Sequence, residues 1–130
     1  MCPSTPFVSI EPILSVPGVR SALAACVAPV IAVSPLVGGA AVKGPLVKMY
    51  KELGLKPGNA QILRHYNDFA DGFVIDHADA ADQLELGLPV LVTKTVMSDL
   101  DDRIDLARSV LDFANQLAVA KEPRPMSSGG

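Results

Sequence analysis

Short β-branched runs alternate with helical segments along this chain, and this alternation limits its folds more than any other feature. Residues 30–34, 72–76 and 89–95 are typical of buried strands, and residues 7–10 are typical of a strand that enters a loop. Strands that alternate with helices predict βαβ units and a parallel sheet. We therefore expect an α/β fold, a Rossmann-like three-layer sandwich with a parallel sheet.

Helix signals lie between the predicted strands. A Pro17-Gly18 pair opens a helix over 19–28, and apolar spacing predicts a helix from Leu46 that Gly54 ends. Asn59 is a good N-cap for the next helix. A short acidic helix over 79–86 stops at Gly87, and Ser98 or Asp99 caps the last one. The apolar positions assigned to the helix after Asn59 are Ile62, Leu63, Tyr66 and Phe69, and those of the last helix are Ile104, Leu106, Val110, Leu111 and Phe113.

The composition fits one globular domain. The chain has 130 residues, 49% of them hydrophobic and 19% charged, which excludes global disorder. A net charge of −3 without a basic cluster argues against nucleic-acid binding. Mean hydropathy of +0.34 is high, as expected for a sheet buried on both faces or for a piece that packs against something else. We expect a domain over 1–120 and a flexible tail over 121–130.

Cysteines and hydropathy favour a cytoplasmic protein. Cys2 and Cys26 are too few for a disulfide framework or a four-ligand zinc site, so we expect reduced thiols. Residues 21–42 carry no charge, but Pro29, Pro35 and a glycine pair interrupt them. This stretch therefore predicts a short helix, a strand and a glycine loop rather than a membrane span.

Ligands of parallel α/β sheets bind beyond the carboxyl ends of the strands, and three loops lie there. In the first, Gly38 and Gly39 precede Lys43 and a helix start, which suits an anion, although the same residues also make an ordinary glycine turn. The spacing matches neither a Walker loop nor a dinucleotide fingerprint.

The other loops carry polar side chains with two interpretations each. Asp76, His77 and Asp79 suit a metal or acid–base chemistry, or a carboxylate that caps the next helix. Residues 93–98, with Lys94, suit a phosphate or a strand end before a capped helix. His65 is expected to be a surface or partly buried residue, and the acidic turn over 99–105 to complement the helix dipole. The roles of His65, Asp76, His77 and Lys94 stay open.

The N-terminal stretch 3–18 has too many prolines for regular structure. It presents Ser4, Thr5 and Ser9 as hydrogen-bond donors, either in a binding loop or in a stiff crossover.

Several motifs in order resemble the 2-phospho-L-lactate transferase (CofD) family. They are Pro3-Ser4-Thr5-Pro6 with Ser9-Ile10 and Pro12-Ile13-Leu14, Val16-Pro17-Gly18, residues 32–45, Arg64-His65-Tyr66, Val74-Ile75-Asp76 and residues 93–97. The resemblance covers about residues 3–115 and implies only the C-terminal part of a longer enzyme. Where the family has Ser-Asn-Pro, this chain has Ser4-Thr5-Pro6, so a hydroxyl replaces an amide donor.

The resemblance implies a transferase of coenzyme F-420 biosynthesis. Such enzymes move a 2-phospholactyl, enolpyruvyl or glyceryl phosphate from a GDP-linked donor to the deazaflavin 7,8-didemethyl-8-hydroxy-5-deazariboflavin and release GMP. Magnesium is implied, with its ligands outside this chain, and so are homodimers or a partner N-terminal half. Ser4, Thr5, Ser9, Gly38, Gly39 and Lys43 are the residues carried over, as holders of the nucleotide or its phosphates. Catalytic residues are expected in the missing N-terminal half, which makes this piece inactive alone.

Two other functions stay open at this point. One is a non-catalytic regulatory protein of the same superfamily that binds a nucleotide sugar. The other is a structural α/β remnant.

Overall fold

A three-stranded parallel sheet is the centre of the computed structural model, which describes residues 1–4, 6–41, 46–55 and 58–120. In chain order the elements are a π-helix (Pro6–Ile10), α1 (Glu11–Leu14), α2 (Val19–Ala24), β1 (Ile31–Val33), β2 (Leu36–Val37), β3 (Ala40–Ala41), α3 (Leu46–Glu52), α4 (Asn59–Arg64), β4 (Gly72–Asp76), a 3-10 helix (His77–Glu85), β5 (Val90–Thr93) and α5 (Leu100–Ala120).

The sheet has the order β1-β4-β5, with all pairs parallel. Ile31 lies opposite Gly72, and Val74 lies opposite both Val33 and Leu91. Every residue of the central β4 is buried, as the continuous apolar run 72–75 predicts. The predicted parallel α/β fold is confirmed.

The two faces of the sheet carry separate cores, because successive side chains of a strand point to opposite faces. Ala32, Phe73 and Ile75 face the side of α3 and α4, where Tyr50 and Ile62 complete the cluster. On the other face, α5 covers a smaller cluster of Ile31, Val33, Val74 and Phe113. The sheet thus lies between two helical layers.

Helix α5 packs closely against Gly72. A Cβ at this position would lie 2.7 Å from side-chain atoms of both Leu117 and Phe113. The missing side chain of Gly72 therefore lets α5 pack against the start of β4.

Some predicted elements are wrong. Residues 7–10 form no strand: Phe7 packs edge-on against Tyr50, 5.1 Å between ring centroids, and the segment is a π-helix that leads into α1. Tertiary packing overrides the local β propensity here. Helix α2 ends at Ala24, with Ala25 as its C-cap, rather than at Ala28. Pro29 accounts for the exclusion of Ala28, since proline disfavours helical backbone at the residue before it.

The last helix and the chain end also depart from expectation. In α5, Leu106 and Phe113 are buried, as predicted, whereas Ile104 and Leu111 are exposed. The expected tail 121–130 lies outside the described residues. Cys2 is exposed and Cys26 half-buried, both as thiols outside a disulfide. Among the helices of the described ranges, none has the length and hydropathy of a membrane span.

Candidate functional site

A cleft of about 400 Å³ opens beyond the carboxyl ends of β1 and β4. Its walls are the turn between β2 and β3, the start of α4 and one side of the 3-10 helix. The turn belongs to the hairpin that comes after β1, and the 3-10 helix directly follows β4. The cleft therefore lies where parallel α/β sheets bind ligands.

The glycine turn forms one wall. β2 and β3 make a two-residue hairpin in which Val37 pairs with Ala40. Gly38 and Gly39 both have positive φ, 63° and 75°, as the common two-residue hairpin turns require. The amide of Gly38 donates to Asp79 Oδ2 at 2.9 Å, so the turn is fixed to the 3-10 helix.

A network of buried hydrogen bonds forms the floor of the cleft. The hydroxyl of Ser34 donates to Asn59 Oδ1, and its oxygen accepts from the amide of Leu36 at 3.1 Å. Asn59 Nδ2 in turn donates to Asp82 Oδ2 at 3.0 Å. Ser34 and Asn59 are fully buried. Their hydrogen bonds join the end of β1 to α4 and to the 3-10 helix.

The predicted role of Asn59 as a helix cap is therefore wrong. Gly58 occupies the N-cap position, and Asn59 is the first residue of α4. Its amide is used between Ser34 and Asp82 instead. The helix also ends at Arg64, so Tyr66 and Phe69 reach the core from the turns that follow.

The cleft is acidic. Asp79, Asp82 and Glu85 line it. The backbone is kinked at Asp79 (φ −110°, ψ 19°), and beyond the kink Asp82 and Glu85 lie one turn of 3-10 helix apart. No lysine or arginine is among the described residues that line it. Carboxylates accept hydrogen bonds, so the cleft suits a ligand group that presents N–H or O–H donors.

The described residues do not supply a complete set of protein ligands for a metal ion. Within the described ranges, no three histidine, cysteine, aspartate or glutamate side chains are placed to hold one metal ion. We therefore derive no step through a metal in this part of the chain.

Asp76 organises the end of β4. One carboxylate oxygen accepts from the amide of Ala78 at 3.0 Å, and the other accepts from the amide and hydroxyl of Thr95 at 2.9 and 3.1 Å. Burial by itself raises the pKa of Asp76, but these hydrogen bonds and nearby His77 outweigh it and leave the pKa below its ordinary 3.8. The capping interpretation of Asp76 is confirmed, and the neighbouring His77 is exposed.

Lys94 also has a structural partner. Its Nζ lies 3.0 Å from Asp102 Oδ1 in the first turn of α5, at the surface. The backbone amide of Asp102 donates to Asp99 Oδ1 at 2.8 Å, which confirms Asp99 as a cap of the last helix.

A second polar cluster ties the N-terminal segment to the core. Arg20 contacts both oxygens of Glu11 at 3.2 and 3.3 Å and both oxygens of Asp68 at 3.0 and 3.2 Å. His65 lies between Glu11, 3.6 Å away, and the hydroxyl of Tyr50, 3.3 Å away. Burial raises the pKa of Tyr50 to about 12, so its hydroxyl stays protonated. His65 is partly buried, as predicted.

The structure brings together only some of the predicted site residues. Gly38 and Gly39 line the cleft. Ser4 is half-buried and Ser9 exposed on the N-terminal segment, and neither is among the cleft-lining residues that the structure describes. Thr5 and Lys43 lie outside the described residues.

Sequence reasoning did not assign Asp82 and Glu85 to the site and gave Asn59 another role. The signal for the acidic face is the three-residue spacing of Asp82 and Glu85, which places their side chains on the same side of a helix. For Asn59 the local sequence gives no signal, since its partners Ser34 and Asp82 are 25 and 23 residues away.

Fold and cleft define the class: an α/β protein with a ligand cleft at the carboxyl edge of a parallel sheet. The family model described as "2-phospho-L-lactate transferase CofD" matches residues 1–111. This chain therefore belongs to the CofD family.

Individual relatives carry two names. The 2-phospho-L-lactate transferase of Methanocaldococcus jannaschii is 39% identical over 115 residues, which are 88% of this chain and 36% of the relative. That of Methanococcus maripaludis strain C7 is 36% identical over 85% of this chain and 35% of the relative. The phosphoenolpyruvate transferase of Streptomyces griseus is 36% identical over 88% and 37%. The chain thus spans little more than a third of these relatives' length.

Proposed function

We propose that this chain forms the donor-nucleotide cleft of a transferase that moves a phospho-acid from a GDP-linked donor to a deazaflavin in coenzyme F-420 biosynthesis. The observation that carries the proposal is the cleft at the carboxyl edge of the sheet, in a chain that belongs to the CofD family. The nucleotide is the part of the reaction assigned to this chain.

The chemistry of the cleft supports a guanine nucleotide. A guanine base presents a ring N–H and an amino group along one edge, and a carboxylate accepts from both. Asp82 and Glu85 supply such acceptors on one side of the cleft, while the glycine turn forms the opposite wall without side chains. Asp79 is engaged by the amide of Gly38, so its part is to hold that wall in place.

The reaction assigned to the whole enzyme is a phosphoryl-linked transfer. A primary alcohol of the deazaflavin attacks the phosphorus that carries the acid, and a new phosphoester bond forms. The anhydride bond to GMP breaks, GMP leaves with the electron pair, and the alcohol proton is lost. The proposal places the catalytic groups and magnesium in the part of the relatives that this chain does not match.

The relatives' names identify only the class of acid that is transferred, not the individual compound. Relatives named 2-phospho-L-lactate transferase and phosphoenolpyruvate transferase are similarly close to this chain. The proposal therefore covers a three-carbon phospho-acid, with lactyl, enolpyruvyl and glyceryl donors as the compounds to compare.

Calorimetric titration of this chain with GDP and ADP tests the nucleotide assignment. GDP is expected to bind at least tenfold more tightly than ADP. Asp82→Ala is expected to weaken GDP binding by about tenfold, because one charge-assisted hydrogen bond is worth about 1.5–3 kcal/mol. Lys43→Ala is expected to weaken the binding of GDP but not of guanosine if this loop holds the phosphates.

Asp112→Ala, at an exposed position on α5, is the matched control and is expected to leave GDP binding unchanged. The same titrations are run with the separately expressed part of the Methanocaldococcus jannaschii relative that this chain does not match. Equal affinity for GDP and ADP contradicts the proposal, as does the absence of binding in both the chain and the mixture.

A further inference from the structure

Helix α5 has two apolar faces. On the first face, Phe113, Val110 and Leu117 pack on the sheet, and Leu106 is buried on the same side of the helix. Leu100, Ile104 and Leu111 form a second row that is exposed, with exposed fractions of 66%, 39% and 63%. At about 100° per residue, these three fall within about 40° of one another and about 140° from Leu106. We call Leu100, Ile104 and Leu111 the outer stripe.

The rest of the helix surface shows that the outer stripe is not the ordinary solvent face. Asp101, Asp105 and Asp112 occupy a separate sector beside it and are exposed. A surface helix normally has one apolar face and one polar face. Helix α5 has a core face, an acidic face and a third, apolar face, which is the pattern of a helix packed on two sides.

The length of the relatives indicates what packs there. About two thirds of the Methanocaldococcus jannaschii relative has no counterpart in this chain. An apolar row of three large side chains is the kind of surface that the remainder of a longer protein covers. The acidic sector beside the stripe favours a covering surface with lysine or arginine along one border.

We propose that the outer stripe is the docking surface for the polypeptide that corresponds to the unmatched two thirds of the relatives, whether in the same chain or as a separate one. The proposal rests on the proposed function in that both assign this chain one part of a larger enzyme. The stripe and the cleft lie on different faces: α5 covers one face of the sheet, whereas α4 lies on the other.

Co-expression tests the docking surface. The 130-residue chain, carrying an affinity tag, is expressed together with the unmatched part of the Methanocaldococcus jannaschii relative. The molar mass of the purified material is then measured by light scattering during size-exclusion chromatography. A 1:1 complex is expected. Leu111→Lys is expected to reduce the co-purified partner at least tenfold while leaving the circular dichroism and melting temperature of the isolated chain unchanged, because Leu111 is exposed there.

Val119→Lys is the matched control. Val119 is 92% exposed on the same helix and lies about 80° from the centre of the outer stripe, so this variant is expected to retain the partner. The proposal is overturned if the partner stays insoluble, if it elutes apart from this chain, or if Leu111→Lys retains as much of it as the unchanged chain. A dimer of this chain alone that Leu111→Lys disrupts also overturns it, by assigning the stripe to a second copy.

GDP titration of the same samples separates this proposal from the proposed function. Leu111→Lys is expected to leave the GDP affinity of the isolated chain unchanged. If the complex assembles but neither the isolated chain nor the complex binds GDP, the proposed function is contradicted and the docking surface is still supported. GDP binding without assembly contradicts the docking surface alone.

Discussion

Asp76 shows how one side chain fixes the edge of the sheet that carries the cleft. It is 7% exposed, and its two oxygens accept hydrogen bonds from Ala78 and Thr95. The first of these starts the 3-10 helix that carries the acidic face, and the second holds the chain after β5 against the end of β4. Asp76 therefore positions the cleft wall without lining the cleft.

Asp76→Ala is expected to lower the free energy of unfolding by about 2–3 kcal/mol at pH 7, because hydrogen bonds to a buried carboxylate are lost. The pKa of Asp76 is below its ordinary 3.8 in the folded chain, so its contribution is present above the unfolded-state pKa and is lost as pH falls through the folded-state value. Urea unfolding at several pH values is expected to show the full difference above about pH 5 and a shrinking one below about pH 4.

Asp112→Ala controls for the removal of an aspartate, since Asp112 is exposed on α5. It is expected to change stability by less than about 0.5 kcal/mol. A difference between Asp76→Ala and the unchanged chain that stays constant down to pH 3 would contradict the role assigned to the ionised carboxylate.

At the scale of elements, the site depends on the contact between the end of β1, the start of α4 and the 3-10 helix. Asn59 is the link, because it accepts from Ser34 and donates to Asp82. The donor and acceptor roles of these two side chains are fixed, because the amide of Asn59 donates and the carboxylate of Asp82 can only accept. The arrangement can therefore be reversed by exchanging the two groups.

Asn59→Asp is expected to destabilise the fold by about 1–3 kcal/mol, since two carboxylates then face each other at the buried position. Adding Asp82→Asn is expected to recover most of this loss, because the exchanged amide again donates to a carboxylate that accepts from Ser34. A double-mutant cycle by urea unfolding measures the coupling.

Asn67→Asp is the control for the charge change, since Asn67 is exposed, and it is expected to be nearly neutral. Additive effects of Asn59→Asp and Asp82→Asn would show that the two side chains are not coupled.

At the scale of the whole molecule, β4 is the central strand of the three-stranded parallel sheet. It is paired on both sides and buried throughout, whereas β5 pairs with β4 on one side and is only half-buried. The open side of β5 is an edge among the strands that the structure describes.

Hydrogen exchange followed by NMR is expected to reflect this layout. Successive amides of β4 should exchange slowly, because they bond alternately to the neighbours on both sides. In β5 only every second amide should be protected, and the others should exchange at least about tenfold faster. Uniform protection along β5 would show that another strand covers its edge.

The amino-acid sequence determined the α/β class, the three parallel strands and the glycine turn, because strand runs, turn glycines and helix caps are local signals. The motifs that resemble the CofD family also lie along short stretches, and the family assignment is confirmed. The phosphate roles predicted for Ser4, Thr5, Ser9 and Lys43 stay predictions.

Only the tertiary structure decided the site. Asn59 meets a partner 25 residues away, and Gly38 meets Asp79 across 41 residues. It also decided that 7–10 is a π-helix packed on Tyr50 and that α5 leaves Ile104 and Leu111 exposed. The physical reason is the same in each case: a local pattern fixes which side chains share a face, whereas only packing determines what that face meets.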